Sequence, residues 1–367
     1  MKQKVFLDPS APIQYASFYI LGLYEQFGKR NVTFSSQPFR ELYQARQNES
    51  EIKKKKYFHY LPFVVISNGK EERFVIDFKD SATVKAHAYD WCDTYAKINI
   101  NLDLTEEKYW DKMVCIPPNY SIRIWGKLET LKMCLKNLVL QQFNPVVTIK
   151  KFLNSYRLLA IHPTHSDYTE KSDQNANAKK PYVFHIATLW SHANCKSGTN
   201  ILRREFIESC IANDKCHFEG GFYVSPTQPP YEGYHHLTFQ KKYSNEEYVK
   251  KSKSSSLIFN TPSVYNCHGW KLGETLAMGK AIISSPLINV LPVDLVHGKN
   301  IHFVKDRPQI KGEVDLLLKD HAYRKKLEAG AKAYYDQHMA PAVVVKSIMD
   351  KTYPITAKAK SAYMNKL

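Results

Sequence analysis

Apolar residues along this chain fall into short runs broken by polar turns. Their period switches between two and about 3.6, as in strands alternating with helices. Val5-Phe6-Leu7 reads as a buried strand that ends at Asp8-Pro9. Pro12 opens a helix with apolar positions Ile13, Phe18, Ile20, Leu21 and Tyr24, and Gly28 stands where a helix C-terminus places its glycine. Val32-Thr33-Phe34 is the next strand. Leu61 to Ile66 and Phe74 to Phe78 flank Asn68-Gly69, a pairing that favours a primed hairpin turn and makes the sheet of this half mixed. A helix is expected over Ala82 to Trp91, then a strand and loop from Thr94 to Asn99. A further helix is expected over Ile122 to Leu140, with Ser121 as its N-cap and Arg123 in its first turn.

The stretch from His165 to Lys180 is polar and carries no large aliphatic residue, so it reads as an exposed linker. Beyond it the pattern is regular. Val183 to Ala187, His217-Phe218 with Phe222 to Val224, Leu257 to Phe259, Ala281 to Ile283 and Asn300 to Val304 are extended pieces. Ile201 to Ile211, Glu246 to Ser252 and Leu272 to Met278 are helices between them. Such alternation implies a parallel sheet with right-handed crossovers. Helices near Val314 to Lys319 and Tyr323 to Tyr335 follow, and Pro341 starts a last amphipathic one. The fold class expected is α/β, with doubly wound, Rossmann-like domains over 1–165 and 181–340, a linker over 166–180 and a terminal helix in 341–367. Two such domains would face a cleft, with ligands outside the carboxyl ends of the strands.

Composition narrows the partners. The 367 residues include 52 Lys and Arg against 35 Asp and Glu, a net charge of +17 with pI near 9.3, so an anionic partner is expected: nucleic acid, a phosphorylated small molecule or an acidic membrane surface. Lys53 to Lys56 and the tail residues Lys346, Lys351, Lys358, Lys360 and Lys366 carry much of this excess, and an anionic membrane surface would attract them. The seven cysteines form no CxxC pair and read as free thiols of a reducing cytosol, and no apolar run is long enough for a membrane span or a signal peptide. The location expected is cytoplasmic, peripheral to a membrane at most. His235-His236 and His162-x-x-His165 lack neighbouring ligands, and HExxH, GxSxG, Walker A and GxGxxG are all missing, so no metal, triad hydrolase, P-loop or nicotinamide chemistry is expected.

The richest segment is a strand, loop and helix over 257–280. Its loop contains Asn266, His268 and Gly269, and its helix opens with Trp270-Lys271 and carries Glu274 before Gly279-Lys280. A carboxylate one turn into such a helix can accept both hydroxyls of a ribose. In the preceding unit, Lys196-Ser197-Gly198 lies in the loop after Val183 to Ala187, and Arg203 and Arg204 open the helix behind it. The guanidinium fork suits phosphate oxygens.

The segment resembles the donor-binding helix of GT-B glycosyltransferases, in particular the nucleotide-sugar group related to bacterial family 4 and exostosin-like enzymes. Gly269, Glu274, Ala277, Gly279, Lys280 and Ile282-Ile283 match that pattern, as do Ser284-Ser285-Pro286 and Val296 to Ile301. Retaining members carry a second Glu eight residues upstream of the first, where this chain has Asn266. The resemblance covers about the last half of the chain well and the first half weakly, and it implies a GT-B fold in which the terminal helix in 341–367 crosses back to pack on the first domain. It implies a nucleoside-diphosphate sugar as donor substrate, a glycan or lipid-linked glycan as acceptor in cell-surface polysaccharide synthesis, transfer without metal or cofactor, and no nucleic acid. On this reading Lys196, Arg203, Arg204, Asn266, His268, Gly269, Trp270, Lys271 and Glu274 hold the donor, Glu274 by its ribose. The acceptor side falls to the first domain. There Asp93, Tyr95 and Lys97 share a strand face by alternation, and Asp93 and Lys97 are the catalytic candidates. Two other readings remain: a non-catalytic nucleic-acid-binding protein, which charge and aromatic content allow, and an inactive transferase-like scaffold, which Asn266 keeps open.

Overall fold

The structure is a computed structural model that describes residues 3–47, 49–141, 146–170, 180–225 and 232–356. The chain is a mixed α/β protein that divides into two compact units. The first comprises 1–165, 289–292 and 338–367, and the second comprises 166–288 and 293–337.

The first unit holds strands β1 (Lys4–Leu7), β2 (Val32–Phe34), β3 (Tyr60–Ser67), β4 (Lys70–Asp77), β5 (Thr94–Lys97) and β6 (Met113–Cys115). Its helices are α1 (Ile13–Phe27), the short α2 (Arg40–Ala45), α3 (Ser50–Lys53) and α4 (Ala86–Trp91), and the longer α5 (Lys127–Leu140) and α6 (Ile149–Ala160). One sheet runs in the order β2-β1-β3-β4-β5-β6. The expected hairpin is there: β3 and β4 pair antiparallel around Asn68 and Gly69, whose φ values of 54° and 78° are those a primed turn demands. β3 also runs antiparallel to β1, while β1–β2, β4–β5 and β5–β6 are parallel, so the sheet is mixed. The last helix, α13 (Pro341–Met349), packs against α1 with Val344, Val345 and Ile348 buried.

Two helices of this unit start later than expected. α5 starts at Lys127, not Ile122, and its N-cap is Gly126. Ser121, Ile122 and Trp125 are buried in extended chain, with the Trp125 ring against Phe34 and Tyr156. Arg123 is therefore outside the helix, with its backbone N–H on the Pro163 carbonyl and its Nε on that of His162. Likewise α4 begins at Ala86, because the Lys85 N–H is taken by the Tyr95 hydroxyl.

The second unit holds α7 (His165–Thr169), β7 (Tyr182–Thr188), α8 (Asn200–Ile211), β8 (His217–Tyr223), β9 (Thr238–Phe239), α9 (Asn245–Ser254), β10 (Ile258–Asn260), α10 (Trp270–Ala277), β11 (Ile282–Ser284), β12 (His302–Phe303), α11 (Ile310–Lys319) and α12 (His321–His338). The expected linker is in part structured: α7 buries Tyr168, an aromatic anchor in an otherwise polar stretch, and 171–179 lie outside the described residues. The tail lysines Lys358, Lys360 and Lys366 also lie outside them.

All strand pairs here are parallel, in two runs, β7-β8-β9 and β10-β11-β12. β7 and β10 are neighbours without a ladder between them. They are joined instead by two serines after α9. The Ser256 N–H donates to the Tyr182 carbonyl at 2.7 Å, and the Phe184 N–H donates to Ser255 Oγ at 2.9 Å. The order 9-8-7 beside 10-11-12 puts a topological switch point at β7 and β10, where open α/β sheets bind ligands. β8 is the one extended piece expected from His217-Phe218 and Phe222 to Val224, and it runs on through the residues between them. Gly220 and Gly221, at φ of 132° and 133°, carry it through: a Cβ on Gly220 would stand 1.9 Å from the His185 carbonyl oxygen.

Candidate functional site

A cavity of about 560 Å³ opens at the carboxyl ends of β7, β8, β9 and β10. β7 contributes Ile186 to Thr188, β8 Tyr223, β9 Phe239, and β10 Phe259 and Asn260. The loop behind β10 adds Thr261, Ser263 and Gly269, and α10 adds Trp270 and Lys271. The positive end of α10, which has no side-chain cap, lies at Gly269 beside the cavity. Its walls carry Trp190, Tyr223, Phe239, Tyr243, Phe259 and Trp270, and four cations, Arg203, Lys241, Lys242 and Lys271. No Asp or Glu is among the described residues that line it.

Two of these cations are placed by backbone carbonyls and a threonine hydroxyl. Arg203 comes from α8, where Nε donates to Thr261 Oγ1 at 3.0 Å and Nη1 to the Thr188 carbonyl at 3.2 Å, bridging the two sides of the switch point. Lys271 Nζ donates to the Ile186 carbonyl at 2.8 Å. Burial pulls Arg203 down to about 10. Burial pulls Lys271 down to about 7, and the Arg203 charge adds to the shift while Glu274 opposes it. His185 sits beneath them in β7, between the rings of Phe206 and Phe259, and burial with these two cations keeps it well below its ordinary value. It is a core residue. The cavity thus holds positive charge that protein carbonyls solvate only in part, and an anion is what that arrangement lacks.

The candidates read from sequence divide sharply. Arg203, Gly269, Trp270 and Lys271 meet in the cavity. Glu274 does not line it. The carboxylate is 8% exposed and accepts the Tyr248 hydroxyl at 3.1 Å and that of Tyr168. Burial raises it to about 7, against the pull of Tyr248, Lys271 and Tyr168. Asn266 takes φ of 58° and accepts Asn194 Nδ2 at 3.0 Å, and His268 is buried in the loop outside the cavity lining. Lys196 is exposed on an irregular turn over Cys195–Thr199. Arg204 turns to Glu208, 3.6 Å away, and to the Tyr234 ring.

The ionisable trio of the first unit is not assembled as expected. Tyr95 and Lys97 share a partner, Asp77: the Tyr95 hydroxyl donates to it at 2.7 Å and Lys97 Nζ at 3.0 Å, with Lys97 fully buried. Asp93 precedes β5 and is exposed, accepting the Arg73 N–H at 2.8 Å. Asp77 was missed because only the register of β4 on β5 sets it opposite Lys97. A second buried network, Asp8 with Ser10, Tyr43 and Arg46, closes the carboxyl end of β1. In the second unit, Lys241, Lys242 and Tyr243 were missed, although a basic doublet beside an aromatic after a strand was a usable signal. Among the described residues no group of three His, Cys, Asp or Glu could hold a metal ion, and no helix is long and apolar enough to cross a membrane. The seven cysteines are buried.

The sequence matches no protein-family model and no curated protein. Among solved structures, the chain is similar to the C-terminal domain of the glycosyl transferase group 1 family protein LpcC of Francisella tularensis, at 14% identity and a TM-score of 0.34 over 47% of this chain and 96% of that one. It is similar to a glycosyltransferase of Rickettsia africae, at 9% identity and a TM-score of 0.40 over 70% of this chain and 62% of that one. It is also similar to Anabaena HepE in complex with UDP-glucose, at 10% identity and a TM-score of 0.34 over 73% of this chain and 81% of that one. These neighbours are glycosyltransferases, the group that segment 257–280 resembles; with TM-scores this low, the functional reading rests on the cavity itself.

Proposed function

We propose that the cavity takes the nucleoside diphosphate part of a sugar donor and that the chain is a glycosyltransferase. The observation that carries this reading is the pair Arg203 and Lys271, held at a switch point, lowered in pKa and faced by no carboxylate among the described residues of the cavity wall. A diphosphate supplies the missing charge. The guanidinium fork and the positive end of α10 suit its oxygens. A cavity of this volume suits a nucleotide, and the aromatic walls offer faces for its base.

In the transfer, the bond between the sugar's anomeric carbon and the β-phosphate oxygen breaks, and the acceptor hydroxyl oxygen bonds to that carbon. Charge develops on the departing diphosphate. Arg203, Lys271 and the α10 N-terminus are set to stabilise it without reorganising. The hydroxyl proton leaves to a base that the cavity wall does not supply, and the first unit is assigned that role. Asp93, one of that unit's exposed carboxylates, is the proposed base, while Lys97 is closed off against Asp77. The ribose would be met by Asn260, Thr261 or Ser263, not by Glu274. A glycan or lipid-linked glycan acceptor, and a place in cell-surface polysaccharide synthesis, belong to the same proposal.

Calorimetric titration with UDP, GDP and ADP tests it. One of them is expected to bind, and Arg203→Ala to weaken that binding at least about tenfold, the loss of one charged hydrogen-bonded partner. Binding of a single-stranded oligonucleotide alone, steeply dependent on salt, would overturn it in favour of nucleic-acid recognition.

A further inference from the structure

α5 is turned inside out for a surface helix. The side chains it buries are Thr130, Cys134 and Asn137, tied to the unit by bonds such as Asn137 Nδ2 to the Tyr156 hydroxyl at 2.8 Å. The side chains it exposes are aliphatic: Leu128 at 86%, Leu131 at 57%, Leu135 at 55% and Val139 at 62%. Turning about 100° per residue, these four fall within about 80° of the helix circumference. Exposed Lys127 lies on one edge of that stripe and exposed Lys132 and Lys136 on the other. α6, packed beside α5, repeats the theme. It buries Phe152, Tyr156 and Leu159, and exposes Ile149 at 64% and Leu153 at 43% next to Lys150, Lys151 and Arg157.

A contiguous aliphatic stripe this exposed marks a surface that something covers. The charge pattern chooses the occupant. Glu129, the acidic residue of α5, is engaged by Lys29 at 2.6 Å, which leaves the rim of the stripe basic. A second copy laid on the same face would set lysine rims against each other. A fluid hydrocarbon surface, unlike a folded partner, needs no matching shape to receive an aliphatic stripe. Lysines flanking a leucine stripe reach headgroup phosphates while the leucines enter the acyl boundary.

We propose that the outer face of α5, with Ile149 and Leu153 of α6, is a docking surface for an anionic lipid bilayer. The surface lies in the first unit and does not depend on the nucleotide reading.

The test is co-sedimentation of the full chain with phosphatidylcholine vesicles, alone or with added phosphatidylglycerol, at low and high salt. The wild type is expected to sediment with the anionic vesicles and to release in high salt. The triple change Leu128→Gln, Leu131→Gln, Leu135→Gln is expected to lower partitioning by about tenfold or more with an unchanged thermal melt, since these side chains are exposed. Lys127→Glu, Lys132→Glu and Lys136→Glu together should abolish the preference for anionic vesicles. In a Leu131→Trp variant, indole emission should shift to the blue only when those vesicles are added. Equal sedimentation of wild type and the glutamine variant would overturn the proposal. So would a concentration-dependent dimer that the glutamine changes dissolve while neither protein binds vesicles. Nucleotide titrations on the same variants keep the two readings apart, because the changes lie outside the cavity.

Discussion

Lys271 and Glu274 stand three residues apart on α10 and are driven toward the same pH from opposite sides. Lys271 falls from 10.5 to about 7 and Glu274 rises from 4.5 to about 7, burial being the larger cause for each. A diphosphate beside Lys271 favours its ammonium form, so binding above pH 7 takes up a proton and affinity falls as pH rises. Calorimetry in buffers of different ionisation heat should show that uptake, and Lys271→Met should abolish it and weaken binding at least about tenfold. Glu274 is expected to matter differently. Its folded pKa lies above the unfolded value, so the folded state binds more protons between 4.5 and about 7 and stability falls as pH rises through that window. Glu274→Gln removes that loss. The variant should gain on the wild type across the window by at most roughly 3 kcal/mol, read from urea unfolding at several pH values, and should change nucleotide affinity little. A large loss of affinity in Glu274→Gln would restore the ribose role that its place in the sequence suggested.

At the scale of elements, local chemistry was legible wherever it was sufficient. Asn68-Gly69 between two β-rich runs forms the hairpin, and the strand–helix alternation after residue 181 forms the parallel runs β7-β8-β9 and β10-β11-β12. What sequence could not reveal depends on partners distant in the chain. Glu274 lies one turn inside α10 as read, but which way it faces was decided by Tyr248 on α9 and Tyr168 on α7, the latter in a stretch too polar to suggest an anchor. Lys97 needed the register of β4, and the start of α5 needed the burial of Trp125. β8 shows how one residue type can decide an element. Gly220→Ala sets a methyl group 1.9 Å from the His185 carbonyl oxygen, and β7 and β8 must part to admit it. The cost is expected to be about 3 kcal/mol or more, visible as a loss of several degrees in Tm, with the first unit's signals unchanged.

At the scale of the molecule, the chain closes its first unit with its own far end. Val344, Val345 and Ile348 of α13 are fully buried against that unit, each worth roughly 1.5–3 kcal/mol of apolar burial. Ending the chain before Pro341 should therefore leave α1 uncovered and the protein aggregation-prone, seen as a lowered Tm and light scattering on heating. The second unit has a weaker line of its own. Where β7 meets β10, Ser255 and Ser256 stand in for a ladder. Two half-sheets stitched by a pair of serines can breathe apart, and the cavity spans the rift, touching Ile186 to Thr188 on one bank and Asn260 and Thr261 on the other. A bound nucleotide would then work as a rivet, slowing deuterium uptake along both banks at once while leaving β12, at the sheet's outer margin, to exchange as before.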